Sequence, residues 1–394
     1  MIFTKAAILA GGRGERMIPI TNLIPKPLIP IQGRPILAHQ LDQLERLGIK
    51  EVYVLTGYLS DAIERFCSNF SSSMTIECIP TDVEFSPAER LLASKEILGD
   101  DFLLIYCDNY ILSDEVIHRV LESNSNLTFL VEKRKKGNVT ISSNGQAFYK
   151  SGLRDEESSW VELGNIGIHS HNFFTILEKE NDLQKALEVF SNTYSCKYVE
   201  LVGIFWSISN FDRFLKLQSN RKILILDRDG ILVAKMPKRE YVTSFSEYRP
   251  LIENWEGFRE LSLSGFDFIV ATNQPGVALG TVDAQFLHSL HQKMISDLLE
   301  FGINVLAVYV CPHHWDAYCN CRKPNPGMLL SALSDFQLKA NETLYIGDDD
   351  RDLKAAEAAG MQGILIGLEH THPVVFPSVS TAFKTIMSLL LPVE

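Results

Sequence analysis

The chain has 394 residues, of which 46% are hydrophobic and 22% charged, a balance typical of folded globular proteins, and its length favours two domains. Its formal net charge of −12 argues against nucleic acid or an anionic membrane as the main partner. No run approaches the roughly 18 apolar residues of a membrane helix, and the start lacks the layout of a signal peptide, so we expect a cytoplasmic protein.

Strand-like and helix-like segments alternate along the sequence, which predicts an α/β fold with mostly parallel sheets. "KAAILA" reads as a short buried strand that ends at Gly11 and Gly12, and "ILAHQLDQLERLG" reads as an amphipathic helix. "EVYVLTG" and "DFLLIYCDN" are the next predicted strands. A polar stretch then precedes "ILILDRDG", where the strand–helix rhythm begins again. We therefore place a boundary near Asn220 and predict two domains, 1–219 and 220–394.

The first candidate site follows the first strand, in "LAGGRGERMIPITNLIPKPL". A glycine-rich turn lets backbone N–H groups approach a polyphosphate, because no Cβ intervenes. Taken alone, such a turn is as often structural as functional. The basic residues favour phosphate binding, since arginine donates paired hydrogen bonds to phosphate oxygens. The candidate nucleotide-binding residues are Leu9, Ala10, Gly11, Gly12, Arg13 and Gly14, and the candidate catalytic cations are Arg16 and Lys26.

These residues resemble the sugar-1-phosphate nucleotidylyltransferases, whose pattern is close to L-A-G-G-x-G-T-R-L-x-P-L-T-x-x-x-P-K-P, with Glu15 here at the threonine position. The resemblance covers about residues 1–215 and implies a Rossmann-like sheet. It implies that a sugar 1-phosphate attacks the α-phosphate of a nucleoside triphosphate, for which we expect GTP, with Mg²⁺ bound. It also implies Asp108 in "YCDN" as the metal ligand. Glu162 and Asn165 in "WVELGNIGIH" would contact the sugar, although a solvated strand edge explains them equally well.

Two departures bear on the activity of this half. "SPAERLLASKEIL" stands where a P-L-G-T-A-G segment that recognises the base is typical, so the base is not evident. Ser207 in "FWSISNFDRF" stands where many members carry a second metal-binding aspartate, and serine lacks the carboxylate that a hard divalent ion prefers. This half is either a nucleotidylyltransferase with one protein carboxylate at its metal, or a non-catalytic sensor or dimerisation module. Either form would allow a homo-oligomer through the N-terminal domain.

The second candidate site begins with "ILILDRDG", an apolar strand that ends in Asp227 and Asp229. Residues two apart on a strand point the same way, so both carboxylates could address one phosphate. One carboxylate can attack phosphorus while the other protonates the leaving oxygen. The carboxyl ends of parallel strands form one crevice, so the polar strand ends that follow should converge there. These are Thr272 and Asn273, the basic pair Arg322 and Lys323, and the acids Asp348, Asp349, Asp350 and Asp352.

This ordered set resembles the haloacid-dehalogenase-like (HAD) phosphatases over about residues 221–394, with Ile231 where threonine is common. The resemblance implies a second Rossmann-like sheet, an aspartyl-phosphate on Asp227 and proton transfer by Asp229. The other implied roles are catalysis by Lys323, substrate binding by Thr272, Asn273 and Arg322, Mg²⁺ binding by Asp227, Asp229 and Asp348, and support by Asp352.

Three cysteines and two histidines crowd into "CPHHWDAYCNCRKP", residues 311–324, which we call the cysteine loop. A redox centre would need a C-x-x-C pair, which this loop lacks, and an aspartate mechanism leaves no role for a nucleophilic cysteine. A structural zinc ion with a closed set of ligands fits the spacing. The candidate ligands are Cys311, His313, Cys319 and Cys321, with His314 as the alternative to His313.

The cysteine loop resembles that of the D-glycero-D-manno-heptose 1,7-bisphosphate phosphatases and of the related histidinol-phosphate phosphatases, and "RKPNPGML" is nearer the heptose pattern. Leu279 and Asp349 stand where heptose enzymes commonly carry basic residues. The fusion implies two consecutive steps of nucleotide-activated heptose synthesis for lipopolysaccharide and related glycans. The 7-phosphate is removed first, and the heptose 1-phosphate then receives a nucleotidyl group. The alternative is a phosphatase of another sugar phosphate or of histidinol phosphate, with a non-catalytic N-terminal half.

Overall fold

The computed structural model describes residues 3–237, 240–367 and 375–390. The chain divides into two compact units. The first unit comprises Met1–Thr21, Pro25–Ile29 and Pro35–Phe214, and the second comprises Asn22–Ile24, Pro30–Arg34 and Leu215–Glu394. The main stretch of the second unit thus begins at Leu215, compared with the predicted start at residue 220.

The elements up to the start of that stretch are, in chain order, β1 (Lys5–Leu9), β2 (Pro30–Ile31), β3 (Arg34–Pro35), α1 (Ile36–Arg46), β4 (Glu51–Thr56), α2 (Ser60–Asn69), β5 (Thr75–Pro80), α3 (Pro87–Ala93), α4 (Lys95–Leu98), β6 (Asp101–Tyr106), β7 (Asn109–Ile111), α5 (Asp114–Leu121), β8 (Leu127–Lys133), β9 (Val139–Ile141), β10 (Ala147–Tyr149), β11 (Trp160–His169), α6 (Phe173–Glu180), α7 (Leu183–Thr193), β12 (Cys196–Glu200), β13 (Phe205–Ser207) and α8 (Phe211–Leu217). The remaining elements are β14 (Lys222–Leu226), α9 (Ile252–Leu263), β15 (Phe266–Asn273), α10 (Ala284–Glu300), β16 (Val305–Cys311), α11 (Gly327–Asp335), β17 (Leu344–Gly347), α12 (Asp350–Ala358), β18 (Gln362–Ile366), β19 (Val375–Phe376) and α13 (Val379–Leu390).

The first unit is built on a sheet with the strand order β10-β9-β11-β6-β1-β4-β5, to which β8 and β12 are joined through β11. Strand β1 is parallel to both β4 and β6, and β4 is parallel to β5. The carboxyl ends of these four strands therefore lie at one edge. Ala6, Ala7 and Ile8 of β1 are fully buried, as is typical of the continuous apolar runs of parallel strands. This edge receives the glycine turn after β1 and Asp108 after β6.

The second unit is built on parallel strands in the order β16-β15-β14-β17-β18-β19. The strand order reverses at β14, which has β15 on one side and β17 on the other. In open α/β sheets the crevice at such a switch point is the usual place for a ligand. Asp227 follows β14 directly, so it lies at this switch point. The predicted α/β class with parallel central strands is confirmed. None of the helices in the three described ranges is long and apolar enough to cross a membrane.

Candidate active sites

Lys323 is the buried cation at the centre of the C-terminal site. Its Nζ lies 2.8 Å from Asp227 Oδ1 and 2.8 Å from Asp352 Oδ1, and it donates to the Tyr345 hydroxyl at 2.8 Å. The residue is only 3% exposed. Burial alone would lower the pKa of Lys323, but the two carboxylates raise it above its ordinary value. The ammonium group is therefore held charged against Asp227.

Asp227 lines a cavity of about 670 Å³ that opens at this edge of the sheet. Burial raises the pKa of Asp227, Lys323 lowers it, and the neighbouring carboxylates of Asp352 and Asp229 raise it. A carboxylate that attacks phosphorus must be ionised. The site therefore depends on positive charge close to Asp227.

Asp227, Asp348 and Asp352 form what we call the acidic cluster, because one oxygen of each lies within 4.8 Å of the others. Such a carboxylate set suits a hard divalent cation. Asp352 is already engaged, since its Oδ1 faces Lys323 and its Oδ2 accepts the backbone N–H groups of Asp348 and of the following residue at 3.1 Å each. Gly230 allows the side chain of Asp348 to pack directly against the backbone of the D-x-D-G turn. Its φ is +84°, and a Cβ there would lie 2.2 Å from Asp348 Oδ2. Because both oxygens of Asp352 are engaged, Asp227 and Asp348 are the better placed ligands, and Asp352 holds the backbone of Asp348.

The carboxylate of Asp229 is held apart from the acidic cluster. Arg228 donates to Asp229 Oδ1 from Nε at 3.0 Å and from Nη2 at 2.8 Å, and Nη2 also reaches Oδ2 at 3.0 Å. Gln274 Nε2 donates to Oδ2 at 2.7 Å. Both oxygens of this candidate Mg²⁺ ligand are therefore bound by other side chains, and Asp229 is not part of the acidic cluster.

Thr272 and Asn273 end β15 at the same edge. The Thr272 hydroxyl is buried and accepts a hydrogen bond from Gln274 Nε2 at 2.9 Å. Asn273 exchanges two hydrogen bonds with the backbone of Lys323, accepting its N–H at 3.0 Å and donating to its C=O at 3.1 Å. The amide of Asn273 is thus used to position Lys323. Arg322 lines the cavity, and its buried Nη1 has no hydrogen-bond partner among the described residues.

Lys235 is a site residue that the sequence did not indicate. It follows the D-x-D-G motif in an irregular segment, and its Nζ lies 2.7 Å from Asp348 Oδ2 and 3.8 Å from Asp349 Oδ2. Burial would lower the pKa of Lys235, but the hydrogen bond to Asp348 and the nearby acids raise it. Because no periodicity or motif spacing selects this position, only the folded chain reveals it. Trp315 of the cysteine loop also lines the cavity.

The candidate zinc ligands of the cysteine loop lie together in the structure, with one ligand atom of each within 4.8 Å of the rest. Cys311 Sγ is 3.7 Å from both His313 Nδ1 and Cys319 Sγ, while Cys321 Sγ is 3.2 Å from His313 Nδ1 and 3.4 Å from Cys319 Sγ. Ligands about 2.0–2.3 Å from a tetrahedral zinc ion are separated by about 3.3–3.8 Å, so the spacing fits. His314 instead accepts the N–H of Asp316 at 3.2 Å. The structure thus groups His313, and not His314, with the three thiols.

The N-terminal site is a cavity of about 810 Å³ at the shared strand edge of the first sheet. Its wall includes the glycine turn, Gly11–Gly14, together with Arg16, Lys26 and Asp108. Lys26 Nζ lies 2.6 Å from Asp108 Oδ2. The structure therefore brings the predicted loop cations and the predicted metal ligand to one cavity.

Arg90 joins the glycine turn to the neighbouring strand ends, a role that the sequence did not indicate. The residue is 3% exposed. Its Nη1 donates to Thr56 O at 3.0 Å, its Nη2 donates to Gly11 O at 3.1 Å and Val83 O at 2.9 Å, and Nη1 also bonds the hydroxyl of Thr81. A Cβ on Gly11 would lie 2.2 Å from Arg90 Nη1, so glycine is required for this approach. The segment in which the base-recognition motif is missing thus supplies a buried guanidinium group.

Ser207 lies beside the candidate metal ligand of this site. Strand β13 pairs with β7 so that Ser207 faces Asn109, and the N–H of Ile208 donates to the backbone C=O of Asp108 at 2.9 Å. Neither Ser207 nor Ile208 carries a carboxylate. The Ser207 hydroxyl instead accepts a hydrogen bond from Arg213 Nη1 at 3.1 Å. The side chain that stands in place of a second metal-binding acid is therefore a hydroxyl bound by an arginine.

Glu162 and Asn165 are buried at an irregularity of β11, where the pairing with β8 shifts between Glu162 and Ile166. Burial raises the pKa of Glu162 to about 7, although the N–H of Gly164 donates to its carboxylate. The described wall of the N-terminal cavity does not include either residue. The alternative of a solvated strand edge is wrong for these two residues, because both are buried, and their contact with a sugar stays a prediction.

Comparisons with known proteins give independent findings for the two halves. Residues 6–162 match the family described as MobA-like NTP transferase domain, and residues 320–375 match the HAD-hydrolase-like family. The D-glycero-beta-D-manno-heptose-1,7-bisphosphate 7-phosphatase of Pseudomonas putida is 35% identical over 145 residues, which are 37% of this chain and 82% of that protein. A crystal structure of D,D-heptose 1,7-bisphosphate phosphatase from B. bronchiseptica with magnesium and phosphate is 30% identical, covers 42% of this chain and 98% of its own, and has a TM-score of 0.39. The CTP:phosphocholine cytidylyltransferase of Streptococcus pneumoniae is 18% identical, with 55% and 99% covered and a TM-score of 0.48.

Proposed function

The chain belongs to the D-glycero-D-manno-heptose-1,7-bisphosphate 7-phosphatase family and carries a MobA-like NTP transferase domain, and on this basis we propose that it performs two consecutive steps of nucleotide-activated heptose synthesis. Residues 220–394 remove the 7-phosphate from heptose 1,7-bisphosphate, and residues 1–219 transfer a nucleotidyl group, from GTP, to the heptose 1-phosphate. The observation that carries the phosphatase step is the contact of Lys323 with Asp227 at the β14 switch point.

The phosphatase reaction has two steps. In the first, a carboxylate oxygen of Asp227 attacks phosphorus, the bond from phosphorus to the sugar oxygen breaks, and Asp229 gives its proton to that oxygen. In the second, water attacks the aspartyl-phosphate, Asp229 accepts a proton from the water, and phosphate leaves with the Asp227 carboxylate restored. Lys323 holds the phosphate oxygens and offsets their charge.

Asp227 and Asp348 would hold a Mg²⁺ ion, because their oxygens lie close together and the third member of the acidic cluster is engaged by hydrogen bonds. When bound, the ion would neutralise negative charge on the phosphate. The chain itself buries Asp227, and Asn273 positions Lys323 against it through two hydrogen bonds. Arg228 and Gln274 hold Asp229 apart from Asp227 and Asp348.

A second phosphate on the substrate would meet two basic side chains on the cavity wall. Lys235 lies beside the acidic cluster, and the buried Nη1 of Arg322 has no hydrogen-bond partner within residues 3–237, 240–367 and 375–390. The cavity of about 670 Å³ is within the range of pockets for sugar-sized ligands. These features support a bisphosphate over a monophosphate.

The cysteine loop would hold a structural zinc ion through Cys311, His313, Cys319 and Cys321. Four ligands leave no open position for chemistry, so the ion acts on the shape of the loop. The loop carries Arg322 and Lys323 directly after its last ligand, so the ion would fix the approach of these cations to the phosphate. Thiolate ligands persist in a reducing compartment, which agrees with the cytoplasm as the expected location.

The nucleotidyl step rests on the cavity around the glycine turn. Backbone N–H groups, Arg16 and Lys26 would bind the triphosphate, and Asp108 would hold Mg²⁺. Ser207 offers a hydroxyl, bound by Arg213, in place of a second acid. Asp108 would therefore be the one protein carboxylate at this metal ion.

Matched variants separate the two activities. With heptose 1,7-bisphosphate and Mg²⁺, the wild-type protein should release one phosphate and leave heptose 1-phosphate, identified by ³¹P NMR. Asp227→Asn should abolish phosphate release and leave nucleotidyl transfer intact, whereas Asp108→Asn should do the reverse. Nucleotidyl transfer is followed as pyrophosphate release from a panel of triphosphates. Faster turnover of histidinol phosphate or of another sugar phosphate would reject the heptose assignment. Triphosphate binding without turnover would favour the sensor or dimerisation role for residues 1–219.

A further inference from the structure

Arg228, between the two aspartates of the D-x-D motif, lies in a buried polar network that the phosphatase steps above do not use. Its side chain is 4% exposed, and its guanidinium group donates hydrogen bonds to both carboxylate oxygens of Asp229. On its far side, Nη1 lies 3.1 Å from His291 Nε2. His291 belongs to α10 and is 3% exposed. Gln274, 4% exposed, binds Asp229 Oδ2 from the end of β15.

The donors and acceptors of this network allow one arrangement only. Arginine donates and never accepts, so His291 Nε2 must be the acceptor, and the imidazole must be neutral with its proton on Nδ1. One edge of the Arg228 guanidinium group therefore bonds Asp229, and another bonds the neutral ring of His291. Because His291 is buried, its ring is held in place by the surrounding side chains. A planar, bidentate pairing of this kind fixes both the position and the orientation of a carboxylate.

We propose that Arg228 is a positioning residue: supported by His291, it fixes the position and orientation of the Asp229 carboxylate for hydrolysis of the aspartyl-phosphate. The inference rests on the proposed two-step mechanism. Arg228 engages both oxygens of Asp229 and Gln274 engages one, so the carboxylate keeps one position and one orientation during proton transfer. When the leaving group needs no proton, the second step should therefore depend on this network more than the first.

An aryl phosphate separates the two steps, because an aryl oxide leaves without needing a proton. When only the second step is slowed, the aspartyl-phosphate accumulates, kcat and KM fall together, and kcat/KM is unchanged. A burst of about one aryl oxide per site should then precede slow turnover. A merely structural disturbance of Asp227 or of the cavity would lower kcat/KM and give no burst.

The variants are His291→Leu, His291→Gln, Arg228→Met and the control His288→Leu, an exposed position on the same helix. We expect His291→Leu to lower kcat about tenfold with a burst, part of the roughly 10²–10⁴-fold that a positioned acid or base contributes. His291→Gln retains an acceptor for Arg228 and should restore kcat to within about threefold of wild type. His288→Leu should match wild type. Arg228→Met should have the largest effect; the His291 pair keeps the test valid if that variant does not fold.

Each outcome decides between the proposal and the function on which it rests. A lower kcat/KM without a burst in His291→Leu, or equal kcat values for His291→Leu and His291→Gln, would overturn the positioning role while leaving the phosphatase in place. Rejection of heptose as the substrate leaves the aryl phosphate measurement unaffected. Failure of the wild-type protein to hydrolyse either the aryl phosphate or heptose bisphosphate would remove the phosphatase function and the positioning role together.

Discussion

Lys323→Met removes the buried ammonium group and keeps a side chain of similar length. With Lys323 present, the trio of Lys323, Asp227 and Asp352 has a charge of −1, since one cation offsets two anions; without it the charge is −2. The variant also loses three contacts of 2.8 Å, to Asp227, Asp352 and the Tyr345 hydroxyl. Removing one partner from a buried ion pair typically costs about 3–5 kcal/mol, because the other charge is left buried and uncompensated. We therefore expect a loss of that size in the free energy of unfolding of the C-terminal unit in magnesium-free buffer.

Amide hydrogen exchange, read on peptides that cover β14 and β17, measures this unit separately from the rest of the chain. The control is Lys339→Met, which removes an ion pair of the same 2.8 Å distance to Glu342 whose side chains are 72% and 52% exposed. Exposed pairs contribute about 0–1 kcal/mol, so the control should be nearly neutral. Added Mg²⁺ should reduce the loss in Lys323→Met, because a divalent cation supplies the missing positive charge. Equal exchange in the two variants without magnesium would refute this account of the site.

Two further variants test the cysteine loop and the buried histidine. Cys319→Ser should lower the zinc content from about one ion per chain and raise KM for the phosphosugar. The control Cys67→Ser lies outside the loop and should change neither quantity. Zinc content is measured by mass spectrometry of the metal, and an unchanged value in Cys319→Ser would contradict the ligand assignment. Burial and the charge of Arg228 hold the pKa of His291 well below its ordinary value. Below about pH 6.5, His291 binds a proton in the unfolded chain but not in the folded chain. The stability that the neutral His291 contributes is therefore fully present above about pH 6.5 and is lost as the pH falls below it. The free energy of unfolding of wild type should fall by up to about 1.4 kcal/mol per pH unit more than that of His291→Gln below pH 6, and equal slopes would contradict it.

The strands and their polar ends could be predicted from the sequence because short apolar runs and motif spacing are local features. Asp227, Lys323 and Asp348 stand at the ends of parallel strands or beside them, and a parallel sheet brings such ends to one edge. The cysteine loop was equally accessible, since its four ligands lie within eleven residues of sequence. What could not be predicted is how the charges are paired once they meet.

Asp229 and Glu162 illustrate this limit. The D-x-D spacing places Asp229 beside Asp227, yet its orientation is set by hydrogen bonds from Arg228 and from Gln274, which directly follows β15. From the sequence Glu162 is either a sugar contact or a solvated strand residue, but the structure buries it where the pairing of β11 with β8 shifts. Neither the side-chain rotamer nor the shift in register is determined by sequence spacing.

The buried cation of the phosphatase site is paired with carboxylates, whereas the buried cation of the N-terminal site is bonded to uncharged oxygens. This difference affects the order in which each site binds its ligands. Lys323 is offset by Asp227 and Asp352, so the acidic cluster keeps an excess of negative charge that opposes a phosphate until a divalent cation is present. Arg90 bonds to carbonyl and hydroxyl oxygens, none of which carries a full negative charge. Its charge therefore acts on the glycine turn, where a triphosphate would lie. Metal should accordingly be required for substrate to bind at the phosphatase site, whereas the N-terminal cavity should attract a triphosphate before any metal ion is bound.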